Sequence, residues 1–256
     1  MLSDLTAGAL ADAAARRELV SFAEVETAAL AQGPALNALE FLAPADRIKV
    51  IAEVKRASPS RGDLAAIADP AALARTYAAN GASTISVLTE GRKFKGTLED
   101  LRAVRAEVSV PVLRKDFIAE KYQILEARAA GADLVLLIVA ALEQDLLAEL
   151  NEFALSLGLT VLVETHSREE LHRALDIDAK LIGVNARNLS TFELDRELFA
   201  SLVGEIPAGV IKVAESAVRN ATDVQHYRDA GADVVLVGEA LVTSDPAATL
   251  QSFLAV

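Results

Sequence analysis

Eight short apolar runs, separated by longer amphipathic segments, constrain this chain more than any other feature of its sequence. The runs fall at Val50–Val54, Thr84–Leu88, Val110–Leu113, Leu134–Ile138, Thr160–Val163, Leu181–Val184, Ile211–Val213 and Val234–Val237. They are rich in Val, Ile and Leu and nearly continuous, as strands buried on both faces should be. The segments between them repeat at helical spacing; Leu146, Leu147, Leu150, Ala154 and Leu157 make one apolar stripe. Asp69-Pro70 and Asp245-Pro246 each place an N-cap acceptor before a first-turn proline. Asn80-Gly81, Ala130-Gly131 and Ala230-Gly231 end helices on a residue suited to the left-handed cap. Gly81-Ala82-Ser83, Gly131-Ala132-Asp133 and Gly231-Ala232-Asp233 are near-copies just ahead of a strand, and Asp178-Ala179-Lys180 is a looser fourth. Repetition of one βα unit predicts a (β/α)8 TIM barrel, and 256 residues is the length of one. An open doubly wound sheet is the competing fold, but no Gly-x-Gly-x-x-Gly follows the first strand.

Residues 1–45 lie outside the repeat. They are expected to form an N-terminal helical extension, around Leu10–Val20 and Phe22–Ala31 with a break at Gly33-Pro34, packed on the barrel within a single domain spanning 1–256. The longest apolar run, Leu134 to Leu142, is too short to span a bilayer. Asp4 and Asp12 precede the first basic residue, Arg16, which is the wrong charge order for a signal peptide, and there is no cysteine. A cytoplasmic protein is expected. The net charge of −12 disfavours nucleic acid or an anionic membrane surface as partner. A small anion remains admissible, because a few cations at one concave site dominate locally.

In such barrels the site lies where strands end. Strand one runs into Glu53-Val54-Lys55-Arg56-Ala57-Ser58-Pro59-Ser60, and strand three into Arg114-Lys115-Asp116-Phe117. Strand five ends in Glu164-Thr165-His166, strand six in Asn185-Ala186-Arg187, strand seven in Glu215-Ser216 and strand eight in Gly238-Glu239. Ionisable residues beside a buried strand are costly unless they are paired or serve a purpose.

Together and in order, Ile51–Ser60, Val112–Phe117 and Val213–Ser216 resemble the indole-3-glycerol phosphate synthase family of tryptophan biosynthesis, and the resemblance covers essentially the whole chain. It implies ring closure of 1-(2-carboxyphenylamino)-1-deoxyribulose 5-phosphate with loss of carbon dioxide and water, and no metal or organic cofactor. By that resemblance Lys115 is the general acid on the ketone oxygen, with a pKa expected to be lowered by nearby Lys55. Glu164 is the second proton-transfer group, and Glu53 a third catalytic carboxylate that orients Lys55 and Lys115. The division of steps between the carboxylates stays open. Lys55 and Arg187 are expected to hold the substrate carboxylate and hydroxyls, with Asn185 as a donor. Phe94, Phe117 and Leu136 would wall the anthranilate ring. Ser58, Glu215, Ser216, Ala217, Gly238 and Glu239 complete the substrate site, chiefly around the phosphate. A monomer is expected, with association with other enzymes of the pathway left open.

Two positions depart from the family pattern. Ala217 stands where glycine usually follows the serine, which costs little unless that residue needs a positive φ; Lys93 stands where an aromatic often precedes Phe94. His166, His172 and His226 lack metal-ligand spacing, and His166 reads most simply as a helix-start hydrogen-bonder. Three other readings compete. A phosphoribosylanthranilate isomerase would need a cysteine the chain lacks, an aldolase would form a Schiff base on Lys115 or Lys55, and a non-catalytic phosphate-binding subunit is suggested only by Ala217.

Overall fold

A computed structural model describes residues 1–188, 191 and 193–256. Eight parallel strands close into a barrel: β1 (Lys49–Val54), β2 (Thr84–Leu88), β3 (Val112–Lys115), β4 (Leu134–Ile138), β5 (Thr160–Thr165), β6 (Leu181–Asn185), β7 (Ile211–Glu215) and β8 (Val234–Val237). Neighbours in sequence are neighbours in space, and β8 pairs with β1 to close the ring. Five of the strands run past their expected ends or start a residue early because polar residues continue the ladder: Thr165, Asn185 and Glu215 are strand positions, not loop positions. The expected start of strand three at Val110 is the other difference; the strand begins at Val112 after Pro111, which has no N–H to donate.

Strand alternation sorts the core into two shells. Ile51, Leu113, Leu134, Leu136, Leu162, Leu181, Ile211, Val213, Val234 and Leu236 fill the barrel interior. Their sequence neighbours, such as Val50, Ala52, Val112, Val135, Val163, Val184 and Val235, pack outward against the helices. Glu53, Lys115, Glu164, Asn185 and Glu215 share the inward parity, so the pleat aims all of them into the barrel mouth.

The helices are α1 (Leu2–Arg17), α2 (Phe22–Leu30), α3 (Ala38–Leu42), α4 (Pro70–Ala79), α5 (Leu98–Glu107), α6 (Lys121–Ala129), α7 (Gln144–Ser156), α8 (Arg168–Asp176), α9 (Leu198–Leu202), α10 (Ala221–Asp229), α11 (Glu239–Val242) and α12 (Pro246–Leu254). Asp69 and Asp245 cap α4 and α12 as the Asp-Pro pairs suggest, each accepting from a backbone N–H at 2.9 Å. The Gly-Ala-Asp repeat has a further use. Asp133 and Asp233 each accept, at 2.9 Å, the backbone N–H of the preceding strand, at Val112 and Lys212.

The extension begins earlier than expected, since α1 starts at Leu2. Ala13, Val25 and Ala29 of α1 and α2 pack on Tyr122 and Leu125 of α6. Arg16 pairs with Glu126 at 2.5 Å, and Asp12 with Arg92 at 2.7 Å. Leu5 reaches over the mouth into the interior shell beside Phe117 and Leu136.

Candidate active site

A cavity of about 840 Å³ opens at the C-terminal ends of the strands. Every site residue singled out from sequence lines it, and its size is that of a small-molecule site. At its floor stands Lys115, whose Nζ lies 3.0 Å from Glu164 Oε2 and 3.4 Å from Glu215 Oε2. Across the mouth Lys55 pairs with Glu53 at 2.8 Å. Glu53, Glu164 and Glu215 are 3 %, 1 % and 1 % exposed, so these charges interact through protein rather than water. Room for them comes from glycines: a Cβ on Gly183 would collide with Glu215 Oε1, and one on Gly238 with Glu53 Oε1.

The expected lowering of the Lys115 pKa is not what this geometry gives. Burial pulls it down, but Glu164, Glu215 and Glu53 outweigh burial and raise it, holding the ammonium charged. Lys55 is balanced by its own carboxylate. Lys115 does not pair with Asp116, which instead accepts from Arg114 at 2.9 Å and from the Thr89 hydroxyl at 2.6 Å. Burial would raise Glu164, yet Lys115 and then His166 keep it well below the usual carboxylate range. For Glu215, burial and the adjacent Glu164 charge push the pKa up to about 8, with Lys115 offsetting only part. The two carboxylates therefore titrate as a coupled pair, in which Glu164 favours the ionised form and Glu215 the protonated one. Glu215 Oε1 has no hydrogen-bond partner among the described residues.

Asn185 Oδ1 accepts from Ser216 Oγ at 2.8 Å and from the Arg187 amide at 3.0 Å, leaving its Nδ2 as the donor for a ligand. Burial lowers the Arg187 pKa; Glu239 counters this and Arg61 adds to it. Phe94 and Phe117 meet with ring centroids 6.1 Å apart, and Leu136 lies with Phe117 in the interior shell. The loop that carries Phe94 is wrapped around Glu90, whose carboxylate accepts the amides of Arg92, Lys93 and Phe94 at 2.9, 2.7 and 2.9 Å. Ser58 sits in a short two-stranded ribbon, Ala57–Ser58 with Gly62–Asp63.

Ser216 and Ala217 both have positive φ, 69° and 58°. The conditional doubt over Ala217 thus resolves to the strained alternative. Strain there amounts to about 1–2 kcal/mol, partly offset because alanine loses less entropy on folding than glycine would. Ala217→Gly should raise stability by roughly 0.5–1 kcal/mol in urea unfolding. Binding of inorganic phosphate should change little, because the backbone already holds its conformation.

Sequence reasoning missed two contributors. Arg61, one residue past the end of the quoted strand-one motif, lines the cavity and pairs with Glu239 at 2.9 Å. His166, read as a helix-start hydrogen-bonder, does bond Glu170 but also reaches Glu164. Among the described residues no cluster of three or more His, Asp or Glu is arranged to hold a metal ion, and no helix is long and apolar enough to cross a membrane.

A cluster of paired ionisable side chains at the floor of the mouth, with cations and positive-φ backbone at its rim, is the arrangement of a barrel enzyme suited to acid–base work on a small anion. Comparison with known proteins narrows the class: the indole-3-glycerol phosphate synthase family model matches residues 2–253, and the chain belongs to that family. An indole-3-glycerol phosphate synthase from Leifsonia xyli subsp. xyli is 68 % identical over 253 residues, 99 % of this chain and 97 % of the relative. Another from Beutenbergia cavernae is 58 % identical, covering 95 % and 90 %. Structural neighbours with low identity share the barrel alone. They include thiamine phosphate pyrophosphorylase from Pyrococcus furiosus (TM-score 0.61, 15 % identity, 80 % of this chain and 93 % of that one). The N-acetylmannosamine-6-phosphate 2-epimerase from Clostridium perfringens has TM-score 0.62 at 12 % identity, covering 83 % and 93 %.

Proposed function

We propose that the chain performs its family's ring closure in the cavity at the barrel mouth, with Lys115 as the acid. The observation that carries this assignment is Lys115 Nζ held between Glu164 and Glu215 at the cavity floor. Attack of the anthranilate ring on the ketone builds negative charge on oxygen, and a charged ammonium both stabilises that charge and delivers a proton to it. A raised pKa does not prevent this, because the alkoxide of an alcohol is a far stronger base than an amine.

Glu164, ionised, is the group ready to accept a proton in the later dehydration. Glu215, whose pKa is raised by burial and by Glu164, favours the protonated form beside Lys115 in the cavity wall. Glu53 fixes Lys55, which with Arg187 and the Asn185 amide meets the substrate's carboxylate and hydroxyls. Phe94, Phe117 and Leu136 wall the aromatic ring. Ser58, Ser216 and the amides around Ala217, Gly238 and Glu239 receive the phosphate. Residues 1–45 and the barrel act as one domain, with Leu5 closing one side of the ring pocket, and the protein works in the cytoplasm as a monomer.

The test supplies 1-(2-carboxyphenylamino)-1-deoxyribulose 5-phosphate and follows indole fluorescence together with released carbon dioxide. Equal amounts of both are expected. Folded protein that forms neither would overturn the assignment. A Schiff-base route predicts a substrate-linked lysine after borohydride treatment, and none is expected.

A further inference from the structure

We propose that His166 is a positioning residue: it stands behind Glu164 as a buried cation, holding that carboxylate ionised and turned toward Lys115. The proposal rests on the reading that Glu164 moves protons during ring closure. His166 begins the loop after β5 and does not line the cavity, so it acts through Glu164 rather than on substrate.

The geometry requires both imidazole nitrogens to face carboxylate oxygens. Nδ1 lies 3.0 Å from Glu170 Oε2, and Nε2 lies 3.1 Å from Glu164 Oε1. The second contact is within ion-pair range but outside hydrogen-bond geometry, since Nε2 has no hydrogen-bond partner among the described residues. A neutral imidazole would leave one ring nitrogen as a lone pair beside a carboxylate; the imidazolium bonds Glu170 through Nδ1 and sets its positive charge at ion-pair distance from Glu164. The side chain is 10 % exposed, so water does little to relieve that choice.

Local sequence explains why the ring stays there. Ser167 caps α8 by accepting the Glu170 amide at 3.2 Å, the Ser-x-x-Glu pattern of a helix start. Glu170 then reaches back past the cap to the His166 amide, at 2.8 Å, as well as to its ring. Backbone and ring of His166 are held by one carboxylate oxygen.

The consequence is an asymmetry between two carboxylates that both touch Lys115. Glu164 has a cation for each oxygen, Lys115 on Oε2 and His166 on Oε1, whereas Glu215 has Lys115 alone among the described residues. The charged groups acting on Glu164 are Lys115 from β3, Glu215 from β7 and His166. Those acting on His166 are Glu164 and Glu170, which outweigh the lowering by burial and push its pKa up to about 10. His166 thus adds to Lys115 in favouring the ionised form of Glu164, the form that can accept a proton.

Two measurements test this. In a variant lacking His172 and His226, 15N spectra of histidine-labelled protein should show both His166 ring nitrogens protonated at pH 8. In His166→Gln, the acid limb of the kcat profile should move up by about one to three pH units, because a charge beside Glu164 has gone. His166→Lys, which restores a cation, should move it most of the way back, whereas a merely structural role would lower kcat at every pH without moving the limb. Neutral-imidazole signals at pH 8, or a His166→Gln limb that overlays the parent's, overturns the proposal. If the unmodified protein forms no indole product, the ring-closure reading fails, and the 15N spectra still decide the charge on His166.

Discussion

Lys115→Ala is expected to lower kcat by about 10²–10⁴-fold, the range over which general acids act. The loss should fall on kcat more than on KM, since the ammonium meets charge that develops only as the ring closes. A second consequence follows from the surroundings. Removing the cation leaves Glu53, Glu164 and Glu215 buried without it, so the variant should bind an extra proton near neutral pH. Its stability should then fall more steeply than the parent's as pH rises through neutrality, because ionising that cluster becomes unfavourable. Circular dichroism and urea unfolding at two pH values check this, and rates are to be compared where both proteins are folded. Near-parental turnover in the folded variant would falsify the assignment of Lys115 as acid.

The other large effect concerns Arg114, its neighbour on the opposite face of β3. Arg114 is 1 % exposed and bonds Asp116 at 2.9 Å, the Gln123 carbonyl at 2.6 Å and the Thr89 hydroxyl at 3.1 Å, with Glu126 at 3.4 Å. Glu126 is shared with Arg16 of α1, so the network ties the N-terminal extension, α6 and the strand that presents Lys115. Arg114→Ala leaves two carboxylates buried with fewer donors. Loss of one partner from such a set costs about 3–5 kcal/mol. Denaturant unfolding should show that drop, and KM should rise as β3 and the α1 cover loosen. A stability change below about 1 kcal/mol would show that water or Arg16 takes over the role.

The barrel was legible because strand and helix periods differ and the βα unit repeats. Val234–Val237 and Leu134–Ile138 needed no revision. Boundaries slipped where polar residues continue a ladder, as at Glu164-Thr165 and Ala214-Glu215, because an apolar-run criterion stops at the first charge while backbone pairing does not. Which residues line the cavity was readable because inward parity and strand ends coincide at Glu53, Lys115, Glu164, Asn185 and Glu215. Electrostatic state was not readable. The pKa direction of Lys115 depends on carboxylates contributed by β1, β5 and β7, which lie up to a hundred residues away along the chain. Ala217 shows the same limit for backbone: its type hints at strain, and only its φ of 58° decides it. His166 was underestimated because its helix-start role is genuine and local, whereas its contact with Glu164 depends on side-chain placement.

The most direct test of the central claim is a crystal structure with a substrate analogue whose ketone is reduced to a hydroxyl, so that it binds but cannot cyclise. The account predicts that hydroxyl within about 2.6–3.2 Å of Lys115 Nζ, with the phosphate beside Ser216 and Ala217. An analogue bound with its hydroxyl turned away from Lys115, toward Lys55 or open solvent, would contradict it.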